Sequence, residues 1–278
     1  MSYKKGFGSG LRLDRKFWLR EQIQDALGRI DDELLHLAIH IAFMCSMRAG
    51  ETMGLDVRSI NFTDSSLWIT QTIQRVSEEA LSKIPKDEII RIFPKQKDFA
   101  KSLLILKTPK TDDSERKLFL NAILIEEIRH RIQQIENCKS FFGSEYHDYG
   151  LLFSQPNGDP IETGLMERWF HDWQVTNAFE PVIDFQGIRK SSSMYKLRLN
   201  GFNYQEVQGD TGHTTPTVLM EHYNEALEFE RRNLALKIQD DFYPKPKDES
   251  VPDNEAIEKL LAAVKSDPQL LNKIMQSI

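Results

Sequence analysis

The chain has 278 residues, 40% of them hydrophobic and 28% charged, with a formal net charge of −6. That allows one large domain or two small ones with a sizeable core, and it excludes a disordered tail. Two cysteines, Cys45 and Cys138, exclude a disulfide framework and a four-thiolate zinc site, and no apolar run reaches the length of a spanning helix. Charges throughout residues 1–30 leave no room for the apolar stretch of a signal peptide. The expectation is a soluble, cytoplasmic protein with no membrane partner. The acidic balance weighs against nucleic acid as a partner.

Residues 1–10 read as a flexible linker rich in Gly and Lys. Gly6, Gly8 and Gly10 follow no strand and precede no Gly-Lys-Ser/Thr, so they do not make a phosphate loop. Spaced apolar residues from Leu13 through Phe17, Ile23 and Leu27 to Ile30 predict a surface helix. Asp31 and Asp32 can cap the next helix. From Leu34 to Met47 nearly every position is apolar or weakly polar, which predicts a buried helix running straight into Arg48. Ile60 to Ile73 predicts a β-hairpin turning at Thr63-Asp64-Ser65-Ser66. Residues 75–100 mix charge with proline and read as a long, partly helical excursion. Leu103 to Leu106 predicts a strand whose partner is Leu118 to Leu120. Asn121 caps an amphipathic helix striped by Leu124, Ile125, Ile128, Ile132 and Ile135.

Leu151-Leu152-Phe153 predicts a short strand closed by the turn Asn157-Gly158. A helix follows through Leu165, Trp169 and Trp173. Another runs from Ser191 to Leu199 and stops at Asn200-Gly201. A short helix around Val207 leads into Gly209-Asp210-Thr211-Gly212, and Thr215-Pro216 opens a long helix to about Ile238. Residues 241–253 form a proline-containing linker and 254–277 a last amphipathic helix. The expected organisation is an N-terminal linker and helix over 1–30, a body over 31–240, and a linker and helix over 241–278.

Several residues could carry chemistry. Arg48, at the end of a buried helix, needs a partner. Glu51, one turn on, is its ordinary ion-pair partner, and the same pair could hold a guanidinium rigid toward an anion such as phosphate. Lys107 and Lys110, around Thr108-Pro109, are solvated turn lysines or a lysine reaching into a site from a hairpin tip. Between Gln186 and Gln205 stand Arg189, Lys190, Lys196 and Arg198 and no acid, which suits a phosphate backbone or a solvated helix face. His213 follows Gly212, and Tyr223 comes ten residues later. His36 and His40 have helical spacing but no carboxylate between them, so they read as core or surface histidines rather than metal ligands. Ser191-Ser192-Ser193 fits a helical turn and not a nucleophile elbow.

Taken singly, each of these has an ordinary structural reading. Taken in order, they resemble the catalytic domain of tyrosine recombinases of the phage-integrase type, over roughly residues 30–240. Met47-Arg48-Ala49-Gly50-Glu51-Thr52-Met53-Gly54-Leu55 is similar to that family's first arginine box. Lys107-Thr108-Pro109-Lys110-Thr111 followed by Arg116 is similar to its β-hairpin lysine motif. Gly187-Ile188-Arg189 is similar to its second arginine box, and Val207 to His213 followed by Tyr223 to its closing segment.

The resemblance implies an α+β, mainly α fold with a small antiparallel sheet packed on a helical bundle. It implies a DNA breaking-rejoining enzyme in which Tyr223 attacks a phosphodiester and forms a 3′-phosphotyrosyl link. Arg48 and Arg189 would hold the phosphate, Lys110 would protonate the leaving 5′-oxygen, His213 would donate a hydrogen bond, and Glu51 would support Arg48. Gln186 would complete the set, and Lys107, Lys190, Lys196 and Arg198 would contact DNA. No cofactor and no metal are implied. The partners would be double-stranded DNA and other copies of the chain, a homo-tetramer on DNA and a monomer when free. The role would be integration or excision of a phage or mobile element.

Three departures qualify this. Gln186 and Lys190 stand where the family commonly has His, and glutamine cannot accept a proton. Arg48 also lies close to the N-terminus, so the expectation is a catalytic domain without the DNA-clamping helical domain that usually precedes it. The tail helix 254–277 would dock on a neighbouring subunit, as C-terminal segments do in this family. A type IB topoisomerase uses similar residues, and a catalytically weakened or inactive DNA-binding regulator derived from a recombinase is the alternative from another class.

Overall fold

The structure, a computed structural model, describes residues 17–95, 101–109 and 115–212, together with Leu234, Ala235, Ile238, Asp241 and Phe242. The chain divides into two compact units, Met1–Ala226 and Leu227–Ile278. The five described residues of the second unit are helical. The long helix expected from Thr215 falls almost wholly outside the described residues, and the helix expected over 254–277 falls wholly outside them.

The first unit is α+β and mainly helical, as expected. Helix α1 (Arg20–Arg29) buries Ile23 and Ala26. Trp18, just ahead of it, packs edge-on against Phe170 and tilted against Phe179. The segment read as a surface helix thus contributes to the main core. Asp32 accepts the Leu35 N–H at 2.7 Å and starts α2 (Glu33–Met44). Helix α2 is buried around most of its girth and is the central post of the unit, in contact with α1, α5, α6 and α7.

Here the chain departs from the sequence reading. Helix α2 stops at Met44 instead of running into Arg48. Ser46 takes a left-handed backbone, φ +50, which no continuing helix tolerates. Arg48 then becomes the N-cap of a new helix, α3 (Ala49–Met53), and its N–H is accepted by Glu51 Oε2 at 2.9 Å.

Two three-stranded antiparallel sheets follow. In the first, β1 (Ile60–Asn61) pairs with β2 (Ser66–Ile69), which pairs with β6 (Arg116–Phe119). In the second, β3 (Thr72–Ser77) and β4 (Ile89–Ile92) flank β5 (Ser102–Lys107). The predicted pairing of 103–106 with 118–120 is corrected: Leu106 faces Ile73, and Leu118 faces Leu67. The chain passes from β2 to β3 through Thr70-Gln71 and changes sheets, so each half of the expected pair already has its own partner. The excursion over 75–100 is corrected too. Its helical parts are the four-residue α4 (Glu78–Leu81), capped by Ser77, and a 3-10 turn over Lys86–Glu88, whereas Ile89-Ile90-Arg91-Ile92 is branched enough to form a strand.

Asn121 caps α5 (Ala122–Phe142) through the Leu124 N–H at 2.8 Å, and the stripe of Leu124, Ile125, Ile128 and Ile135 is buried as read. Leu151 and Ser154 make isolated bridges to Asp56 and Pro160 rather than a strand ladder. Helix α6 (Thr163–Thr176) precedes α7 (Phe185–Leu199). Helix α7 begins six residues before Ser191 because the Asp184 carboxylate accepts the Gly187 N–H at 2.8 Å. The closing helix α8 (Tyr204–Thr211) ends at Gly212. No helix among the described residues is long and apolar enough to cross a membrane.

Candidate active site

The break between α2 and α3, the middle of α7 and the start of β6 meet at one carboxylate. Glu51 is 3% exposed. Arg48 Nη1 donates to Glu51 Oε1 at 2.6 Å. Arg116 straddles the same group, with Nη2 at 3.0 Å from Oε2 and Nη1 at 3.4 Å from Oε1. Arg189 comes in from α7, its Nη1 at 3.9 Å from Glu51 Oε2. The Ser46 carbonyl, freed by the left-handed turn that ends α2, accepts from Arg189 Nη1 at 2.5 Å and from Arg116 Nη2 at 3.5 Å. Three guanidiniums therefore share one carboxylate. Arg189 and Arg116 are buried, while the Arg48 side chain is 42% exposed.

The electrostatics follow from that count. Burial pushes the Glu51 carboxyl up, but the guanidiniums of Arg116, Arg189 and Arg48 outweigh it and hold the group below its ordinary value. Burial, then repulsion by Arg48 and Arg116, brings Arg189 down to about 9 against the attraction of Glu51, so it stays charged at neutral pH. Its Nη2 is a buried donor with no hydrogen-bond partner among the described residues. Such a donor, in a place with surplus positive charge, fits an anion with several acceptor oxygens.

The chain ahead of His213 lies on this cluster. Arg48 Nη2 donates to the Gly212 carbonyl at 3.5 Å. Gly212 is left-handed (φ +62), and a Cβ there would stand 3.0 Å from Arg116 Nη1, so conformation and close packing both favour glycine. His213, Tyr223 and Lys110 lie outside the described residues.

Other candidates sit elsewhere. Gln186 is exposed on the first turn of α7, three residues before Arg189. Lys107, at the end of β5, is buried and paired with Glu88 at 2.8 Å. Lys190 is buried, with its ammonium 5.5 Å from the centroid of the Phe17 ring. Lys196 pairs with Asp210, and Arg198 is half-buried further along α7. The stretch that reads as a basic stripe is largely an interior face. Ser192 meets Ser46 at 2.6 Å, and Ser191 accepts the Trp18 N–H at 2.7 Å.

Arg116 and the Ser46 carbonyl were not foreseen as parts of the site. Arg116 entered the sequence reading only as the residue that follows the hairpin lysines; a second signal was phase, since it shares the inward face of β6 with Leu118.

No protein-family description and no curated protein matches this sequence. Solved structures do. The Tn1549 transposon integrase in complex with a circular intermediate DNA superposes with a TM-score of 0.57 at 16% identity, covering 78% of this chain and 66% of that one. For XerA recombinase the TM-score is 0.53 at 10% identity, covering 78% of this chain and 64% of that one. For XerH site-specific recombinase bound to a palindromic difH substrate it is 0.52 at 12% identity, covering 82% and 54%. The chain spans between 54% and 66% of the length of these proteins. It carries the fold of the tyrosine-recombinase catalytic domain.

Proposed function

We propose that this chain is a site-specific recombinase that cleaves and rejoins duplex DNA through a 3′-phosphotyrosyl intermediate on Tyr223. The observation that carries the reading is the arginine cluster. Among the described residues, Arg48 and Arg189 converge on one buried carboxylate, with positive charge to spare and the Nη2 donor of Arg189 unfilled. A phosphodiester supplies the negative charge and acceptor oxygens that such a cluster lacks, and more of both in the five-coordinate transition state. Support also comes from the fold, shared with a transposon integrase and with recombinases whose structures contain DNA.

In this mechanism the Tyr223 oxygen attacks phosphorus and the 5′-oxygen departs, taking a proton from Lys110. Arg48, Arg189 and His213 hold the non-bridging oxygens. A phenol of pKa about 10 is a poor nucleophile at neutral pH unless nearby positive charge favours the phenolate, and the arginines would supply that field. The phosphotyrosyl bond conserves the energy of the broken linkage, so rejoining reverses the step. We assign the reaction to integration or excision of a mobile element, by four copies of the chain on DNA and in the cytoplasm.

A DNA-binding regulator without cleavage is the second reading. Gln186, exposed beside Arg189 where the family has a proton-accepting His, favours it. If that His served as a general base, its loss would slow cleavage by about 10²–10⁴-fold. Nicked suicide duplexes separate the two. A covalent protein–DNA adduct that Tyr223→Phe abolishes supports the enzyme. A salt-sensitive mobility shift with no adduct supports the regulator.

A further inference from the structure

The seam between α2 and α5 carries a second cluster, remote in sequence from the arginines. His36 and His40 stand one turn apart on α2, and Glu127 faces them from α5. Both Nδ1 atoms converge on the same oxygen, Glu127 Oε2, at 3.8 Å from His36 and 2.8 Å from His40. The three candidate ligand atoms lie within 4.8 Å of one another. An ion bound tetrahedrally at about 2.0 Å needs neighbouring donor atoms about 3.3 Å apart. The contacts to Glu127 Oε2 bracket that spacing, one below it at 2.8 Å and one above it at 3.8 Å.

The rest of the site points the same way. The two imidazoles cross at 73° instead of stacking. His40 is buried and already held by Glu127. The His36 ring makes no hydrogen bond among the described residues. The groove alongside, about 500 Å³, is bordered by Asp31, Glu33, Glu126 and Glu127 against the single guanidinium of Arg131. That guanidinium is engaged by the carbonyls of Leu152 at 3.1 Å and Ser154 at 2.7 Å and by Gln134 Oε1 at 3.3 Å. The histidines looked unligated in the sequence because their carboxylate comes from a helix 87 residues further on.

We propose that His36, His40 and Glu127 bind one divalent transition-metal ion of the zinc class, with the remaining coordination position open to the groove. Imidazole with carboxylate is a donor set suited to such an ion. The ion braces α2 against α5, and α2 leads directly into the turn that carries Ser46 and Arg48. The site stands on its own geometry and does not depend on the recombinase reading.

The test uses the full chain, stripped with a chelator and then equilibrated with Zn²⁺ or Co²⁺ alone. The expected result is one ion per chain, a visible ligand-field band with Co²⁺, and a higher Tm with Zn²⁺. His36→Ala removes a partly exposed ring, and Glu127→Gln keeps a hydrogen bond to His40 while losing the charge. Each should weaken binding at least about 100-fold, since even changes in outer-shell partners cost 10–100-fold. His147→Ala, which removes a histidine paired instead with Asp159, should leave binding intact. Absence of saturable binding by the stripped chain would overturn the proposal. So would equal binding by wild type and both variants, because the ions would then sit on others of the seven histidines.

Discussion

The two ends of α2 treat charge in opposite ways. Near its start, two imidazoles and a carboxylate face a groove with an excess of acids. Just past its end, three guanidiniums crowd one carboxylate, and a buried donor is left over among the described residues. One end gathers acceptors and the other gathers donors, only about two to three helical turns apart along the same stretch of chain. The net charge of −6 averages over both and describes neither. Binding follows local charge, which is why an acidic chain can hold a phosphate site.

The strongest way to break the comparison is Glu51→Ala. It removes the carboxylate that Arg48, Arg116 and Arg189 share, two of these guanidiniums being buried. The expected loss is about 3–5 kcal/mol of unfolding free energy in a denaturant titration. A loss under about 1 kcal/mol would mean that water enters the cluster freely. Next comes Arg189→Lys, which keeps the charge but cannot reach both the Ser46 carbonyl and an incoming oxygen. Adduct formation on a suicide duplex should slow by about 10²–10³-fold, the range for losing one transition-state donor.

A third prediction uses pH. The Glu51 carboxyl lies below its ordinary value of 4.5 in the folded protein, so the unfolded chain binds the proton more readily. The stability it contributes is complete above about pH 4.5 and is lost as pH falls through the folded value. Unfolding curves of wild type should therefore steepen in acid, and those of Glu51→Gln should lack that component. The smallest effect is expected at the other end of α2. Without added metal, His36→Ala should change stability by under about 0.5 kcal/mol, because the ring is partly exposed and forms no side-chain hydrogen bond among the described residues.

What the sequence made legible was local. Asp32, Asn121 and the stripe of α5 announced their helices through caps and period, and the Arg48–Glu51 pair was readable from helical spacing. What stayed hidden was long-range. The exchange of partners between β5 and β6 depends on the chain crossing from one sheet to the other, which no single strand records. The start of α7 stayed hidden because Gly187 is a poor helix former, and only the Asp184 carboxylate on its N–H shows that the helix begins ahead of it. Arg116 joins Glu51 across 65 positions; the sequence placed it after the hairpin lysines and in phase with core leucines, but neither trace names its partner. The basic run of α7 misled in the other direction, since composition cannot tell an exposed stripe from an interior face.

Trp18 gives this fold a mechanical property. Its backbone N–H is gripped by Ser191 Oγ at 2.7 Å and its indole N–H by the Pro181 carbonyl, also at 2.7 Å. Ser191 follows Arg189 by two positions. Tension applied to the polypeptide ahead of Phe17 is therefore delivered to α7 within one turn of the interior guanidinium instead of dissipating in slack. The first described residues and the helix that carries Arg189 are thus one mechanical piece.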